Sequence, residues 1–397
     1  MESMLKALKP FIKLFQFIGL SPFVVTEHGD LMEASVTTIY SIVSISVFLA
    51  SFIYGFFQED LFSIPNDQPM NEIAHTVDFI QLTGIRFTHL IILFEGLVRR
   101  RRLMQLLCKL SDWDLIVQKY YNNLHISHET IRRKILLKLL ASGTFYGGIQ
   151  LILLLIILLR QQYEFTYYWS LYLVSFIVCS LRYVQIYILI SLLKDRFHLI
   201  NKKIEKLNLN EGTASSGNVL MTKNATIIND ELSAVQQLII LRQLYDKLWE
   251  LTSLTNKCFG LSLLVNIGND FIAITGHCYW IFLTMENPPV GVNDILAVIG
   301  STIWTIPSLV NSFMMASICH VTMEEANEAG SLLHQIKHDC LNESQNMVVQ
   351  QFSLQLLHQK VKFTAYGFFN IDFSLLFTMI SATTTYLVII IQMHNSA

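Results

Sequence analysis

Charged side chains lie within long apolar stretches of this sequence, among them Asp78, Arg86, Arg182 and Asp270. A charge inside a membrane span is costly, so it faces the interior of a helix bundle, where it pairs or contacts water. Two interpretations stay open for these residues. They form structural ion pairs between helices, or some of them contact a bound ligand.

Other polar and aromatic residues lie at the same depth of the predicted spans. Counting from the span ends places Asp78, Tyr172 and His277 in the extracellular half, and the rest near the middle. A cavity with aromatic walls and a few polar groups suits a small organic ligand. The candidate ligand-binding residues are Asp78, Arg86, Gln150, Tyr172, Asp270, His277, Thr302 and Trp304.

A second candidate site lies in the last apolar stretch, residues 367–393. Its middle carries four polar residues in a row, Thr383 to Tyr386, and Gln392 lies near its end. A hydroxyl or amide in hydrocarbon costs free energy unless it finds a partner or water. One explanation is that these residues form hydrogen bonds between helices, each of which contributes about 0.6–2 kcal/mol. The alternative is that this helix lines a pore.

The sequence contains none of the common catalytic or nucleotide-binding motifs: no GxSxG, HExxH, Walker loop or dinucleotide fingerprint. His320 and Glu324, four residues apart, fit a solvated helix end better than a metal site. The six cysteines form no CxxC pair, which argues against a zinc or redox site. We expect no enzyme activity, no cofactor and no metal.

The composition is typical of a polytopic membrane protein. Hydrophobic residues make up 52% of the chain and charged residues 15%, against about 25% charged in soluble domains. The mean hydropathy is +0.45. The net charge of −2 and the lack of a basic cluster with stacking aromatics argue against nucleic-acid binding. No cleavable signal peptide is expected, so the first span serves as the insertion signal.

Hydropathy predicts an all-α fold with seven membrane-spanning helices. The spans cover about 35–57, 73–98, 136–159, 167–193, 258–285, 292–319 and 367–393. Residues 4–18 have the pattern of an interfacial helix, which kinks or begins at Pro10. The predicted organisation begins with a cytoplasmic segment, 1–33, followed by spans one to four in 34–193, which include a basic connector, 99–135. Cytoplasmic helical extensions follow in 194–257, around a flexible loop at 208–224. Spans five and six lie in 258–319, a cytoplasmic anchor segment in 320–366 and the seventh span in 367–393.

The basic residues predict the orientation, because Lys and Arg are enriched in cytoplasmic loops. The first segment holds 3 of them, the connector 99–138 holds 10, the extensions 194–257 hold 9 and the segment 320–366 holds 3, which makes 25 of the 28. The N-terminus is therefore predicted in the cytoplasm and the C-terminus outside. Both glycosylation sequons, at Asn224 and Asn342, fall on the cytoplasmic side and should carry no glycan.

The end of the chain resembles the signature of insect gustatory receptors. Thr385 and Tyr386, five apolar residues, Gln392 and Met393 match a family pattern that reads Thr-Tyr, five hydrophobic residues, Gln-Phe. Met393 departs from the pattern, since it replaces the Phe with a flexible apolar group. Gly19 to Phe23, with the sequence GLSPF, is also similar to the family, as are the chain length and the number of spans.

The resemblance implies a ligand-gated, non-selective cation channel in the cell membrane of sensory neurons. It implies a homotetramer, or a heteromer with related receptors, whose seventh helices surround the pore. Thr385, Tyr386, Gln392 and Met393 are then the pore and gate residues. Four Met393 side chains would form a hydrophobic ring, and such rings close pores by dewetting.

The sequence from Gly367 to Asp372, followed by TTTYLVIIIQ, looks more like bitter-type than sugar-type members of that family. A bitter plant secondary compound is therefore the first candidate ligand, and a sugar such as fructose is the second. A metabotropic receptor that acts through a cytoplasmic partner is the alternative function. The predicted cytoplasmic N-terminus argues against it, as do the missing Asp-Arg-Tyr and Asn-Pro-x-x-Tyr motifs. A transporter is disfavoured by the lack of internal repeats.

Overall fold

The chain is nearly all helical. The computed structural model describes residues 4–26, 29–57, 72–121, 128–161, 163–215, 234–286, 291–336 and 343–396. Its helices are α1 Met4–Phe17, α2 Ser35–Phe57, α3 Glu72–Val98, α4 Arg100–Tyr120, α5 His128–Leu159, α6 Tyr163–Ser215, α7 Ala234–Glu286, α8 Val292–His334, α9 Glu343–His358 and α10 Phe373–Ser396. The strands β1 Val24–Val25 and β2 Leu31–Met32 pair antiparallel, as do β3 Thr364–Ala365 and β4 Phe369–Asn370.

Seven of these helices, α2, α3, α5, α6, α7, α8 and α10, are long and apolar enough to cross a membrane. This confirms the predicted all-α fold with seven spans. Two of the seven helices, α6 and α7, contain 53 residues each. Such a helix is about 80 Å long, far more than the roughly 30 Å of a hydrocarbon core. These two helices therefore continue beyond the membrane.

The first helix begins before the proline at which the sequence allowed it to start. It begins at Met4, so Pro10 lies inside it and does not start it. Lys6, Pro10 and Lys13 are exposed, whereas the opposite apolar face is buried. That face packs on α4 and α5 of the same chain, so the amphipathic pattern serves packing within the protein.

The chain divides into two compact units. Unit 1 comprises Met1–Ile188, Thr255–Ser317 and Thr364–Ala397, and contains the spanning segments described below. Within it α3 and α7 are joined by hydrogen bonds along their length. The Gln81 side-chain amide donates to the Ala273 carbonyl at 3.2 Å, and the Thr88 hydroxyl donates to the Val265 carbonyl at 3.4 Å.

Unit 2 comprises Leu189–Leu254 and Ile318–Phe363, and has a core of its own. Three aromatic rings lie at its centre, those of Phe197, Tyr245 and Phe352. The centroid of the Tyr245 ring lies 5.5 Å from that of Phe197 and 5.9 Å from that of Phe352. The Tyr245 hydroxyl donates to the Ala326 carbonyl at 3.3 Å, and Asn201 Nδ2 donates to the Glu325 carbonyl at 2.7 Å. Aromatic packing and hydrogen bonds between helices therefore hold this unit together.

Two element boundaries differ from those expected. The helix α6 continues to Ser215, although the flexible loop was predicted from residue 208. Adding residues to an existing helix is far cheaper than nucleating one, so weak helix formers can follow a long helix. The rest of that loop, residues 216–224, lies outside the described residues, as do Asn224 and Asn342.

The last helix begins at Phe373 instead of residue 367, because the preceding residues form the β3–β4 hairpin. The backbone turns at Tyr366 and Gly367, whose φ angles are +53° and +84°. Glycine adopts this left-handed region without a steric penalty. Asp372 then caps the helix by accepting a hydrogen bond from the Ser374 backbone amide at 2.9 Å.

Candidate functional site

The last helix, α10, is apolar in composition but hardly buried. In its most apolar stretch of 18 residues, 11% of the residues are buried within the chain, against 72% in the corresponding stretch of α6. Leu375 and Met379 lie on its buried face. Thr383 approaches Thr275 at 3.5 Å, and the Tyr386 ring lies 5.8 Å from that of Phe271. One face of α10 therefore packs on α7, and the rest of its surface is open in the single chain.

The open side of α10 carries a row of polar side chains, which we call the polar stripe. Its members are Ser374, Thr378, Ser381, Thr385 and Gln392, and all five are exposed. Their spacings of four, three, four and seven residues put them within about 40° of one direction on a helix with 3.6 residues per turn. The stripe lies opposite the face that contacts α7.

The hydroxyls of the polar stripe bond to their own helix. Thr378 donates to the Ser374 carbonyl and Thr385 to the Ser381 carbonyl, each at 3.0 Å. Such bonds satisfy the hydroxyl hydrogen and leave oxygen lone pairs for water or an ion. Among the interhelical hydrogen bonds offered as an explanation from the sequence is the long contact between the Thr275 and Thr383 hydroxyls.

The two predicted gate residues point in different directions. Gln392 belongs to the polar stripe, and Met393 lies about 100° further around the helix. Met393 is 57% exposed in the single chain. The next residue, His394, holds the end of α10 against α7, since its ring nitrogens lie 3.2 Å from the Tyr279 hydroxyl and 3.2 Å from a Glu286 carboxylate oxygen.

Three of the predicted ligand residues meet in one aromatic cluster. The Trp304 ring of α8 lies 4.4 Å from the Tyr172 ring of α6 and 5.7 Å from the His277 ring of α7. Phe176 stacks on Tyr172 at 5.9 Å, and Tyr146 of α5 contacts Phe176 edge-on at 5.9 Å. We call these five residues the aromatic cluster. Four helices contribute to it, as a ligand site in a helix bundle requires.

Polar groups beside the aromatic cluster are largely engaged with one another. Gln150 accepts a hydrogen bond from the Trp169 indole at 3.0 Å. The Tyr146 hydroxyl donates to the Asn311 side-chain oxygen. The Tyr183 hydroxyl donates to the buried Asp270 carboxylate at 2.6 Å. These bonds fix the walls of the cluster.

Sequence reasoning missed Tyr146, Phe176 and Tyr183. A signal for two of them exists on α6, because Tyr172, Phe176 and Tyr183 follow one another at spacings of four and seven residues. Those spacings put them on one face of a helix. Tyr146 has no comparable signal, since its role depends on the packing of α5 against α6.

Two predicted ligand residues lie away from this cluster's ring contacts. Thr302 is exposed and donates its hydroxyl to the Val298 carbonyl of its own helix at 2.8 Å. Arg86 is buried in α3, one helical turn before His89, whose ring lies 3.2 Å from the Ser175 hydroxyl.

Asp78 is also in α3, but at its other end. One of its carboxylate oxygens, Oδ1, accepts a hydrogen bond from the Trp280 indole of α7 at 2.6 Å. The other, Oδ2, is buried and has no hydrogen-bond partner among the described residues. Thus one of the two carboxylate oxygens of Asp78 has a hydrogen-bond partner among the described residues, and the other does not.

Arg182 forms a structural ion pair, one of the two interpretations left open by the sequence. Its guanidinium lies 3.0 Å from Glu95 of α3 and donates to Ser262 at 3.0 Å and to Gln185 at 2.9 Å. Its charge also lies 4.6 Å above the Phe259 ring. All the polar contacts are short and buried, so Arg182 holds helices together.

Glu95 also takes part in the backbone of α7. It accepts hydrogen bonds from the backbone amides of Leu261 at 3.2 Å and Ser262 at 3.0 Å. Arg99 pairs with Glu95 at 2.8 Å and donates to the Lys257 carbonyl at 2.7 Å. Side chains that enter a helix ladder in this way are a recognised cause of local bending.

The described residues contain no group of three or more His, Cys, Asp or Glu that could hold a metal ion.

Comparison with known proteins identifies relatives over the whole chain. A family model described as 7tm Chemosensory receptor matches residues 8–395. The Drosophila melanogaster protein named "Putative gustatory receptor 2a" is 33% identical over 423 aligned residues, which cover 99% of this chain and 97% of that protein. Gustatory receptor 68a of the same species is 34% identical over 36% of each chain.

Solved structures show the same fold. The insect olfactory receptor OR5 from Machilis hrabei superposes with a TM-score of 0.69 at 13% identity, over 98% of both chains. Its complex with eugenol superposes with a TM-score of 0.63 at 12% identity, over 98% of this chain and 99% of that one.

Proposed function

This chain belongs to the 7tm chemosensory receptor family, and we propose that it is a gustatory receptor of sensory neurons that works as a ligand-gated, non-selective cation channel. The observation that carries the channel proposal is the polar stripe of α10. An apolar helix that leaves five polar side chains exposed on one face needs water there.

Four copies of the chain, identical or from related receptors, would supply that water-filled space. Around a fourfold axis the polar stripes of four α10 helices line an ion path, while the opposite faces stay packed on α7. The low burial of α10, which equals that of α2, leaves a surface in the single chain that neighbouring copies would cover. Gln392 and Met393 would close the path at its outer end.

The aromatic cluster is the proposed binding site for a small tastant. Tyr172, His277 and Trp304 supply flat apolar surfaces from three helices. A bound ligand that favours one arrangement of these helices shifts the channel toward it. The contacts of α10 with α7, which also carries His277, offer a direct route from this site to the pore helix.

The ligand we favour is a bitter plant secondary compound. A sugar needs many free hydrogen-bonding groups around an aromatic platform. Here Gln150 and Asn311 already bond to Trp169 and Tyr146, which leaves fewer groups for hydroxyls. A fructose-type sugar remains the second candidate.

We propose that the N-terminus lies in the cytoplasm and the C-terminus outside the cell, as the distribution of basic residues predicts. In this orientation unit 2 is the cytoplasmic anchor. Selective labelling of an epitope added after Ala397 in unpermeabilised cells tests it. Label that appears only after permeabilisation contradicts it.

Cysteine accessibility tests the pore. In excised patches without nucleotides, a positively charged thiol reagent should block the ligand-evoked current of Ser381→Cys and Thr385→Cys. Ile380→Cys is the matched control, because Ile380 is equally open in the single chain but lies on another side of α10. Equal block at all three positions contradicts the pore assignment, and the absence of current in an excised patch favours a metabotropic receptor.

Met393 tests the gate. Met393→Ala shortens a side chain in the proposed hydrophobic ring, so the barrier to water and ions falls. We expect a resting current without ligand, measured against the wild type at equal surface expression. A resting conductance like that of the wild type removes Met393 from the gate and leaves Gln392 as the candidate.

A further inference from the structure

Asp78 is a buried acid that the protein satisfies only in part. It is 9% exposed, and Trp280 bonds to its Oδ1 at 2.6 Å. The buried Oδ2 has no partner in the described part of the chain. A buried carboxylate without full hydrogen bonding is costly, so this oxygen is suited to a group that arrives from outside.

Lys and Arg are absent from the stretches of sequence around Asp78 and Trp280. The sequence contains no Lys or Arg from residue 14 to residue 85, which includes the undescribed loop before α3. It also contains none from residue 258 to residue 336, which includes Trp280 and the undescribed turn after α7. Arg86 is eight residues further along α3, about 12 Å along the helix axis. No Lys, Arg or His among the described residues forms an ion pair with Asp78.

The walls around Asp78 are firmly held. Gln81, one turn away, bonds to the Ala273 carbonyl of α7. A Cβ at Gly276 would lie 2.2 Å from the Gln81 amide nitrogen, so a side chain at this position would displace the Gln81 amide from its present place. Trp280 lies one turn after Gly276 on α7 and is half-buried.

We propose that Asp78 and Trp280 bind the positively charged nitrogen of an amine ligand. The free oxygen accepts a hydrogen bond from the ammonium group, or faces a quaternary nitrogen, in a charge-assisted contact. The indole ring attracts the same cation through its π face. This inference rests on the proposed receptor function and adds to it a ligand class, basic nitrogen compounds, which the aromatic cluster does not select.

Ligand-induced thermal stabilisation of the full-length receptor in lipid nanodiscs tests the proposal. The probes are tetramethylammonium, benzyltrimethylammonium and protonated quinine, each beside a neutral compound, with neopentylbenzene as the carbon isostere of benzyltrimethylammonium. At least one cation should raise the melting temperature of the wild type. Asp78→Asn keeps the acceptor for Trp280 but removes the charge, and should weaken that cation by about thirtyfold or more. Neutral compounds should bind both proteins equally.

Glu286→Gln is the matched control, since it also removes an acidic charge at the same end of α7 and should leave cation binding unchanged. Two outcomes overturn the proposal: no cation stabilises the wild type, or every cation that does so stabilises Asp78→Asn equally. Patch recordings on the same proteins separate this from the receptor function. Cation binding without current contradicts the channel and keeps the amine site, whereas an amine-evoked current that Asp78→Asn does not alter contradicts only the amine site.

Discussion

Glu95 and Asp78 are buried acids on the same helix, α3, and the protein treats them in opposite ways. Glu95 is 2% exposed and accepts bonds from Arg99, Arg182 and two backbone amides of α7. Among the residues that the structure describes, Asp78 has one hydrogen-bond partner, Trp280, and no cation. A fully partnered buried charge serves structure, because losing any partner is costly. A half-partnered one marks a place where another molecule can bind.

The largest effect should follow from removing Glu95. Glu95→Ala leaves the buried Arg182 without its countercharge, and breaking a buried pair in this way costs about 3–5 kcal/mol. We expect a large loss of monodisperse protein and a lower melting temperature in nanodiscs. The double variant Glu95→Ala with Arg182→Leu should recover part of the loss, because it also removes the unpaired charge. A single variant as stable as the wild type would erase the contrast with Asp78.

A smaller effect should follow at a third buried acid, Asp270. Tyr183→Phe removes the hydroxyl that bonds to Asp270 at 2.6 Å and leaves a buried oxygen without that partner, at a cost of about 1–3 kcal/mol. Melting temperatures measure this effect. Tyr187→Phe, one turn further along α6, is the control, and it keeps the ring that faces the Lys138 ammonium group at 5.1 Å. If both variants lose the same stability, the Asp270 bond has no special role.

Glu33 is the exposed counterpart of these acids and should matter less. Its ion pairs with Arg101 and Arg100 hold the pKa of its carboxyl below the ordinary value. A lowered folded-state pKa contributes stability at pH values above the ordinary pKa of about 4.3. That stability is lost as the pH falls through the folded-state value.

Glu33→Gln should therefore flatten the fall in melting temperature between about pH 5 and pH 3. High salt should reduce the difference from the wild type, because exposed pairs are screened. The Glu95 pair is buried and should respond to salt far less. Equal salt sensitivity of the two would contradict the burial of Glu95.

The smallest effect on stability is expected at Asp78. Asp78→Asn keeps an acceptor for Trp280 and removes a charge that has no countercharge. The melting temperature without ligand should be unchanged or slightly higher, since residues kept for binding are often suboptimal for stability. A clear loss of stability would indicate an unrecognised structural partner and would place Asp78 beside Glu95.

Much of the architecture could be predicted from the order of residues. The seven spans follow from long apolar runs, because backbone groups in lipid must bond within one helix. The polar residues of α10 were identified because they interrupt the last of these apolar runs. The start of α10 was predicted six residues too early, because hydropathy does not register the left-handed turn at Tyr366 and Gly367.

The candidate site was predicted less completely. Tyr172, His277 and Trp304 were chosen by depth, and they do meet. Thr302 was chosen by the same rule, but its hydroxyl bonds to its own helix at an exposed position. Depth along a span can be counted from the sequence, whereas the direction of a side chain depends on how the helix is rotated against its neighbours.

The sequence by itself determined the seven stretches that are long and apolar enough to cross a membrane and the concentration of basic residues in four segments between them, since hydrophobicity and charge are properties of the residues themselves. Only the tertiary structure decided which buried charges have partners. Glu95 and Asp78 look alike within the hydrophobic run of α3. Glu95 pairs with Arg182 of α6 and with Arg99, the residue before α4, whereas Asp78 bonds to the Trp280 indole and to no arginine within the described part of the chain. Pairing depends on distances of 3–4 Å between helices, and those distances exist only after the helices have packed.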